Sequence, residues 1–291
     1  MMIARIVCGW LLFASAGGLA RAVTVVDDAG HTVTLPSPAR RIISLAPHAT
    51  ELLYAAGAGA QIVGVSDFSD YPAAAKKIAS VGGSSALDLE RIITLKPDLV
   101  VVWHNGNSAS QIAHLRELRI PLFESEPRDY TTIATSLERL AALAGTGPVG
   151  NAAAHDFRAR LQTLRATYRQ RAPVSVFYQI WAKPLMTLNG THIVSAAISL
   201  CGGTNIFEKL PQIAPVVNLE AVLQADPAVI VSGAGDAAGL AGWRHFPSLR
   251  AVRHNGLVNI NADLLTRPAP RILDGTEQLC QHLESARQQH D

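Results

Sequence analysis

Aromatic side chains are scarce in this sequence: Phe, Trp and Tyr together supply 5% of its 291 residues. Each tryptophan (Trp10, Trp103, Trp181 and Trp243) is therefore worth placing individually. An excess of one charge is also lacking. Lys and Arg number 25 against 23 Asp and Glu, with no long basic run. That argues against a nucleic-acid partner, since phosphate binding needs clustered Lys and Arg. Apolar runs long enough to span a bilayer are absent too, the stretch from Ile6 to Ala14 being too short. There is no Gly-x-Ser-x-Gly elbow, no phosphate loop, no Cys-x-x-Cys and no His-Glu-x-x-His. The ten histidines are scattered and no His-rich loop occurs. A secreted α/β enzyme thus starts without support, and neither a metal site nor a catalytic cofactor is expected. What is abundant is apolar residue, 48% of the chain, enough to bury a sizeable core in two domains of ordinary size.

Cysteine is rare as well, at three. Cys8 lies in the run Ile6–Ala14, which follows Arg5 and leads through small residues to Ala20-Arg21-Ala22. This is the charged, apolar and small-residue order of a secretory leader, residues 1–22, cut after Ala22. Cys8 sits inside the apolar segment and not just after a cleavage site, which speaks against a lipoprotein. Cleavage leaves Cys201 and Cys280. An even count in an exported chain favours one disulfide over two buried thiols. Its loop of about 80 residues would be worth roughly 4 kcal/mol in the chain-entropy model.

The rest of the chain alternates between strand and helix signals. Val23 to Leu35 is an alternating run interrupted by Asp28-Ala29-Gly30, a β-hairpin. Arg41–Leu45 and Ile62–Val65 read as strands, with a loop at Ala46-Pro47-His48 and a helix opening at Thr50 between them. Leu89–Leu95 is helical. Leu99-Val100-Val101-Val102-Trp103 is an all-apolar strand buried on both faces. A helix over 110–118, a strand over 120–123 and a helix over 131–144 follow. Gly145-Thr146-Gly147-Pro148 breaks the alternation, and one long helix runs from Asn151 to Arg171. Its stripe is Ala153, Phe157, Leu161, Leu164 and Tyr168. About 20 helical residues span roughly 30 Å, enough to bridge two lobes. Beyond Pro173 the alternation resumes, with strands at 174–178, 229–231 and 257–260 and helices at 195–201, 219–224 and 270–288. The predicted fold is α/β: lobes over 23–146 and 173–291 with mainly parallel sheets, joined by residues 147–172.

The two halves echo each other. Leu89-Glu90 and Leu219-Glu220 each open a helix, with Pro97 and Pro227 seven residues after the Glu and an apolar strand beyond. The matching apolar positions favour two equivalent lobes over coincidence.

At RIISLAPHATE (41–51), GVSDFSDYP (64–72), LDLERIITLKPDLVVVW (87–103), CGGTNIF (201–207) and RPAPRI (267–272) the chain resembles the periplasmic cobalamin-binding proteins of ABC-type importers. More broadly it is similar to the binding proteins with a single backbone helix, which also serve haem and iron–siderophore uptake. The resemblance covers about Arg40 to the C-terminus. It implies a monomer in the periplasm that is not an enzyme. That monomer holds cobalamin or a related corrinoid between its lobes and delivers it to a permease and ATPase complex in the inner membrane. Haem or a ferric siderophore is the alternative ligand. Carried over by position, the ligand-binding residues are Pro47, His48, Phe68, Trp103, Ile180, Trp181, Asp263 and Arg267, and the permease-docking residues are Glu90 and Glu220. Ser84 and Ala214 stand where the resembled binder has tryptophans. The residues by themselves leave open a core role for Trp103 and Phe68, a solvated role for Arg267 and a plain loop role for His48.

Overall fold

A computed structural model describes residues 22–84, 86–233 and 238–289. The expected leader, but for Ala22, lies outside them. The chain opens with a two-stranded antiparallel hairpin, β1 (Val23–Val26) and β2 (Thr32–Leu35), turning at Asp27–Gly30 as the alternation requires. The buried Asp27 holds this turn, its Oδ1 accepting the N–H groups of Ala29 and His31.

The first lobe then builds a parallel sheet. Its elements are β3 (Ile42–Ser44), α1 (Pro47–Ala55), β4 (Ile62–Val65), α2 (Leu89–Thr94), β5 (Leu99–Trp103), α3 (Ala109–Glu117), β6 (Leu122–Ser125) and α4 (Tyr130–Ala144). The strand order is β4-β3-β5-β6. Leu99 to Val102 are fully buried because β5 has neighbours on both sides and helices on both faces. Gly145 ends α4 in the left-handed conformation at φ 71°, and α5 (Gly147–Tyr168) begins two residues later.

The second lobe repeats the plan. It comprises β7 (Val174–Gln179), a small hairpin β8 (Trp181–Ala182) and β9 (Leu185–Met186), α6 (Ile193–Leu200), β10 (Gly203–Asn205), α7 (Leu219–Ala225), β11 (Val229–Ser232), α8 (Ala238–Ala241), α9 (Arg250–Arg253), β12 (Leu257–Asn259), α10 (Ala262–Thr266) and α11 (Ile272–Gln288). Its sheet is parallel, ordered β10-β7-β11-β12. The echoed strands β5 and β11 occupy the same third place in their sheets, each led in by its Leu-Glu helix.

Helix α5 joins the lobes and packs against both. Its buried face is Ala154, Phe157, Leu161 and Leu164, while Ala153 and Tyr168 are partly covered. One apolar core runs beneath it from Leu35 and Leu137 in the first lobe to Val176 and Leu279 in the second. Polar contacts reinforce this seam. Tyr130 and Thr276 share a buried hydrogen bond of 2.7 Å between α4 and α11, and Arg160 of α5 pairs with Asp274 and Glu277 of α11.

Some sequence boundaries shift. Pro47 and His48 are not a loop but the start of α1, because a proline's fixed φ suits the first helical position and Ala46 supplies an extended residue before it. The long helix starts at Gly147, four residues early, with Pro148 in its first turn. The strand at 120–123 slides to Leu122–Ser125, so Glu124 and Ser125 are buried strand residues.

Cys201 and Cys280 form a disulfide that ties the end of α6 to α11, with Cα atoms 4.7 Å apart. Alkylation of the denatured, unreduced protein is expected to label neither sulfur. Labelling of both would overturn the bond.

Candidate functional site

The loops that follow β5 and β6 open onto a groove whose other wall is the second lobe, and the carboxyl ends of parallel strands are the usual place for ligands in α/β architecture. Trp103 closes β5 there. Its backbone N–H donates to Oδ1 of the buried Asn107, and its ring lies against Gly106, where a Cβ atom would fall 2.0 Å from the indole. A side chain at 106 would therefore displace the tryptophan. His48 packs edge-on to the indole, centroids 5.5 Å apart, and bonds Ser125 Oγ at 3.2 Å. A cavity of about 380 Å³ opens over this platform. Its walls include Trp103, Glu126 and Arg128 from the first lobe and His192, Ile213 and Thr266 from the second.

Burial, followed by the charge of Arg267, pushes the His48 pKa down to about 3. The folded form therefore keeps this imidazole neutral, while in the unfolded chain it titrates near 6.5. Between those values only the unfolded chain binds the proton, so stability falls as pH drops through that window. This group alone is expected to remove about 3 kcal/mol between pH 7 and pH 4. Urea unfolding should show a shallower loss over that interval in His48→Gln. An equal slope would exclude a neutral buried imidazole.

Beside the groove an ion cluster joins the lobes. Glu51, on α1, is buried and accepts two hydrogen bonds from Arg271, at 2.9 Å from Nε and 2.6 Å from Nη2. Arg267 Nη1 reaches the same carboxylate at 3.2 Å and Asp70 at 2.8 Å, while its Nη2 meets Asp263 at 3.0 Å. The Arg271 guanidinium also stacks over the Tyr71 ring, 3.7 Å from its centroid. One carboxylate of the first lobe thus holds two arginines of the second.

The sequence profile of a family described as periplasmic binding protein matches residues 42–263. A vitamin B12-binding protein of Vibrio cholerae is 43% identical over 255 residues, covering 87% of this chain and 92% of that protein. The chain belongs to the periplasmic binding protein family.

Among solved structures, the periplasmic vitamin B12 binding protein BtuF of Vibrio cholerae aligns with a TM-score of 0.82 at 43% identity, over 86% of this chain and 98% of that one. The periplasmic heme-binding protein RhuT from Roseiflexus sp. RS-1 aligns at 0.76 with 22% identity, over 85% and 99%, and shares the fold. Within this binding protein the residues singled out from sequence separate into groups. Trp103 lines the cavity and is 36% exposed, so it is not a core cap. Phe68 and Trp181 are also solvent-facing, at 82% and 62%, so Phe68 is no core residue. Trp243, by contrast, is core, packed on Phe177 with its indole N–H donated to Gln179. Arg267 is only 13% exposed and belongs to the ion cluster with Asp263, not to open solvent. Thr266 and Pro268, its chain neighbours, line the cavity. Ile180 is half-buried against the core. Pro47 begins α1, and His48, behind Trp103, supports the platform. Ser84 and Ala214 are exposed.

Sequence reasoning gave no role to Glu51, Arg271 or His192. Glu51 did carry a signal. It stands between Thr50 and Leu52-Leu53 in a helix buried on every side from His48 to Leu53, and a carboxylate there needs a cation.

Proposed function

We propose that this chain captures cobalamin or a related corrinoid in the periplasm and hands it to an ABC permease and its ATPase in the inner membrane. The observation that carries the reading is the 43% identity to a vitamin B12-binding protein across both lobes. The groove has the chemistry for it. Trp103 offers a flat apolar face in the cavity wall, and Phe68 on the first lobe and Trp181 on the second are exposed aromatics. The resemblance assigns Asp263 and Arg267 to peripheral amides of the ligand and adds Ile180, Pro47 and His48 to the set; in support, the chain neighbours of Arg267, Thr266 and Pro268, line the cavity. In this reading residues 23–146 and 173–291 are the lobes, 147–172 is the connector, residues 1–22 are a cleaved leader, and the mature chain works as a monomer without catalysis.

Calorimetry of the mature chain against cyanocobalamin, cobinamide and haemin decides the ligand. Corrinoid binding is expected. Tight haemin binding with no corrinoid binding would transfer the site to haem. Trp103→Ala is expected to weaken cyanocobalamin by about 2 kcal/mol, roughly 30-fold, as for a buried aromatic hot spot. Unchanged affinity would remove Trp103 from the ligand face.

A further inference from the structure

His192 enters the groove from the second lobe, and its hydrogen bonding fixes what it can offer. It is the residue that caps α6, and its Nδ1 accepts the backbone N–H of Val194 at 3.2 Å. A peptide N–H only donates, so Nδ1 must present a lone pair. In the neutral ring the proton then sits on Nε2. Burial holds the His192 pKa down to about 4, so the ring is neutral at physiological pH. Nε2 has no protein partner among the described residues. It is not among their sealed, unpartnered side-chain atoms either, which are Gln61 Oε1 and Tyr178 OH. The ring lines the cavity that Trp103 also walls.

We infer that His192 is a specificity-determining residue, whose Nε2–H is a fixed donor for an oxygen acceptor at the ligand's edge, such as a corrin side-chain amide carbonyl, and not a ligand to the metal. This rests on the corrinoid reading of the groove. Metal binding through Nε2 would need the proton on Nδ1, where it would oppose the Val194 N–H and uncap α6. His48 offers no substitute. It is buried, bonded to Ser125 and set edge-on against Trp103. Both groove histidines are thus committed to protein contacts through one ring nitrogen, and His192 alone lines the cavity.

Two independent measurements test this. Nitrogen chemical shifts of the His192 imidazole in the ligand-free protein are expected to report the neutral Nε2–H tautomer from pH 7 to pH 5. The Nδ1–H tautomer would overturn the inference. His192→Asn keeps an oxygen that can accept the Val194 N–H, so α6 stays capped, but its side chain is too short to reach the ligand. Its melting temperature is expected to match the parent, while cyanocobalamin affinity falls about five-fold, the loss of one neutral hydrogen bond. An unchanged affinity would overturn the role. Diaquocobinamide leaves both axial sites to water. Its visible spectrum on the parent protein is expected to be the same as on His192→Asn, and a histidine-ligated spectrum that the variant abolishes would overturn the inference. If the parent fails to bind cyanocobalamin, the corrinoid reading fails separately. The tautomer and a haemin titration of both proteins then decide, with axial ligation by His192 counting against the inference.

Discussion

Glu51→Ala is expected to destabilise the folded chain by about 3–5 kcal/mol, because it leaves two arginines without the carboxylate that neutralises them. Arg267 would keep Asp70 and Asp263. Arg271 would keep only its stack on Tyr71, having given both its described hydrogen bonds to Glu51. The loss therefore falls mainly on Arg271, which is one-fifth exposed and cannot be fully rehydrated without movement. The pair also ties α1 of the first lobe to the start of α11 in the second, so the variant should loosen one lobe against the other. Urea unfolding measures the first effect, and protection of the α11 amides from hydrogen exchange measures the second. Glu51→Gln preserves the shape and one acceptor but not the charge, and should fall between the parent and alanine. A loss below about 1 kcal/mol in Glu51→Ala, the range of an exposed ion pair, would show that water already neutralises both arginines.

This cluster also marks the limit of what the sequence discloses. The run Leu99–Trp103 announces a central strand because five apolar residues in a row have no exposed face to spare. The stripe on α5 and the Leu-Glu echo are equally local patterns, and they give the two lobes and their connector. That Trp103 lines the cavity is legible for a related reason: a scarce, large aromatic at the carboxyl end of a central parallel strand stands where clefts form in such folds. Glu51 and Arg271 lie 220 residues apart, and no spacing rule joins them. The strand β10, Gly203–Asn205, has no apolar run of its own, and forms because it pairs with β7 at the sheet edge. His192 escapes for a different reason. A lone histidine before an apolar helix looks like any surface residue until the cap bond to Val194 and the cavity are both seen.

Changing Glu90 and Glu220 together to alanine is expected to abolish uptake while leaving ligand affinity as it was. Both residues are exposed and stand in the first turn of their helices, two residues after the side-chain caps at Asp88 and Asn218. Asp88 accepts the N–H of Arg91 at 2.9 Å, and Asn218 accepts that of Ala221 at 2.8 Å. Each glutamate complements the positive end of its helix, an effect of about 0.3–1 kcal/mol that would explain either one alone. The pairing across lobes needs more. Each helix leads into the third strand of its sheet, so the two glutamates hold equivalent positions in the two lobes. Neither makes an ion pair with another described residue, which leaves both carboxylates available to cations on a partner. A permease built from two equivalent subunits would present two such cationic patches, one for each lobe. Charges of this kind set association rate and docking register more than they set ligand affinity. Growth on limiting cyanocobalamin should therefore fail in the double variant, while calorimetry of the purified variant matches the parent. Each single change should slow uptake less, because one contact still fixes the register. Normal growth of the double variant would free both residues of this role, and a loss of cyanocobalamin affinity would place them in the fold of the groove and not at a docking surface.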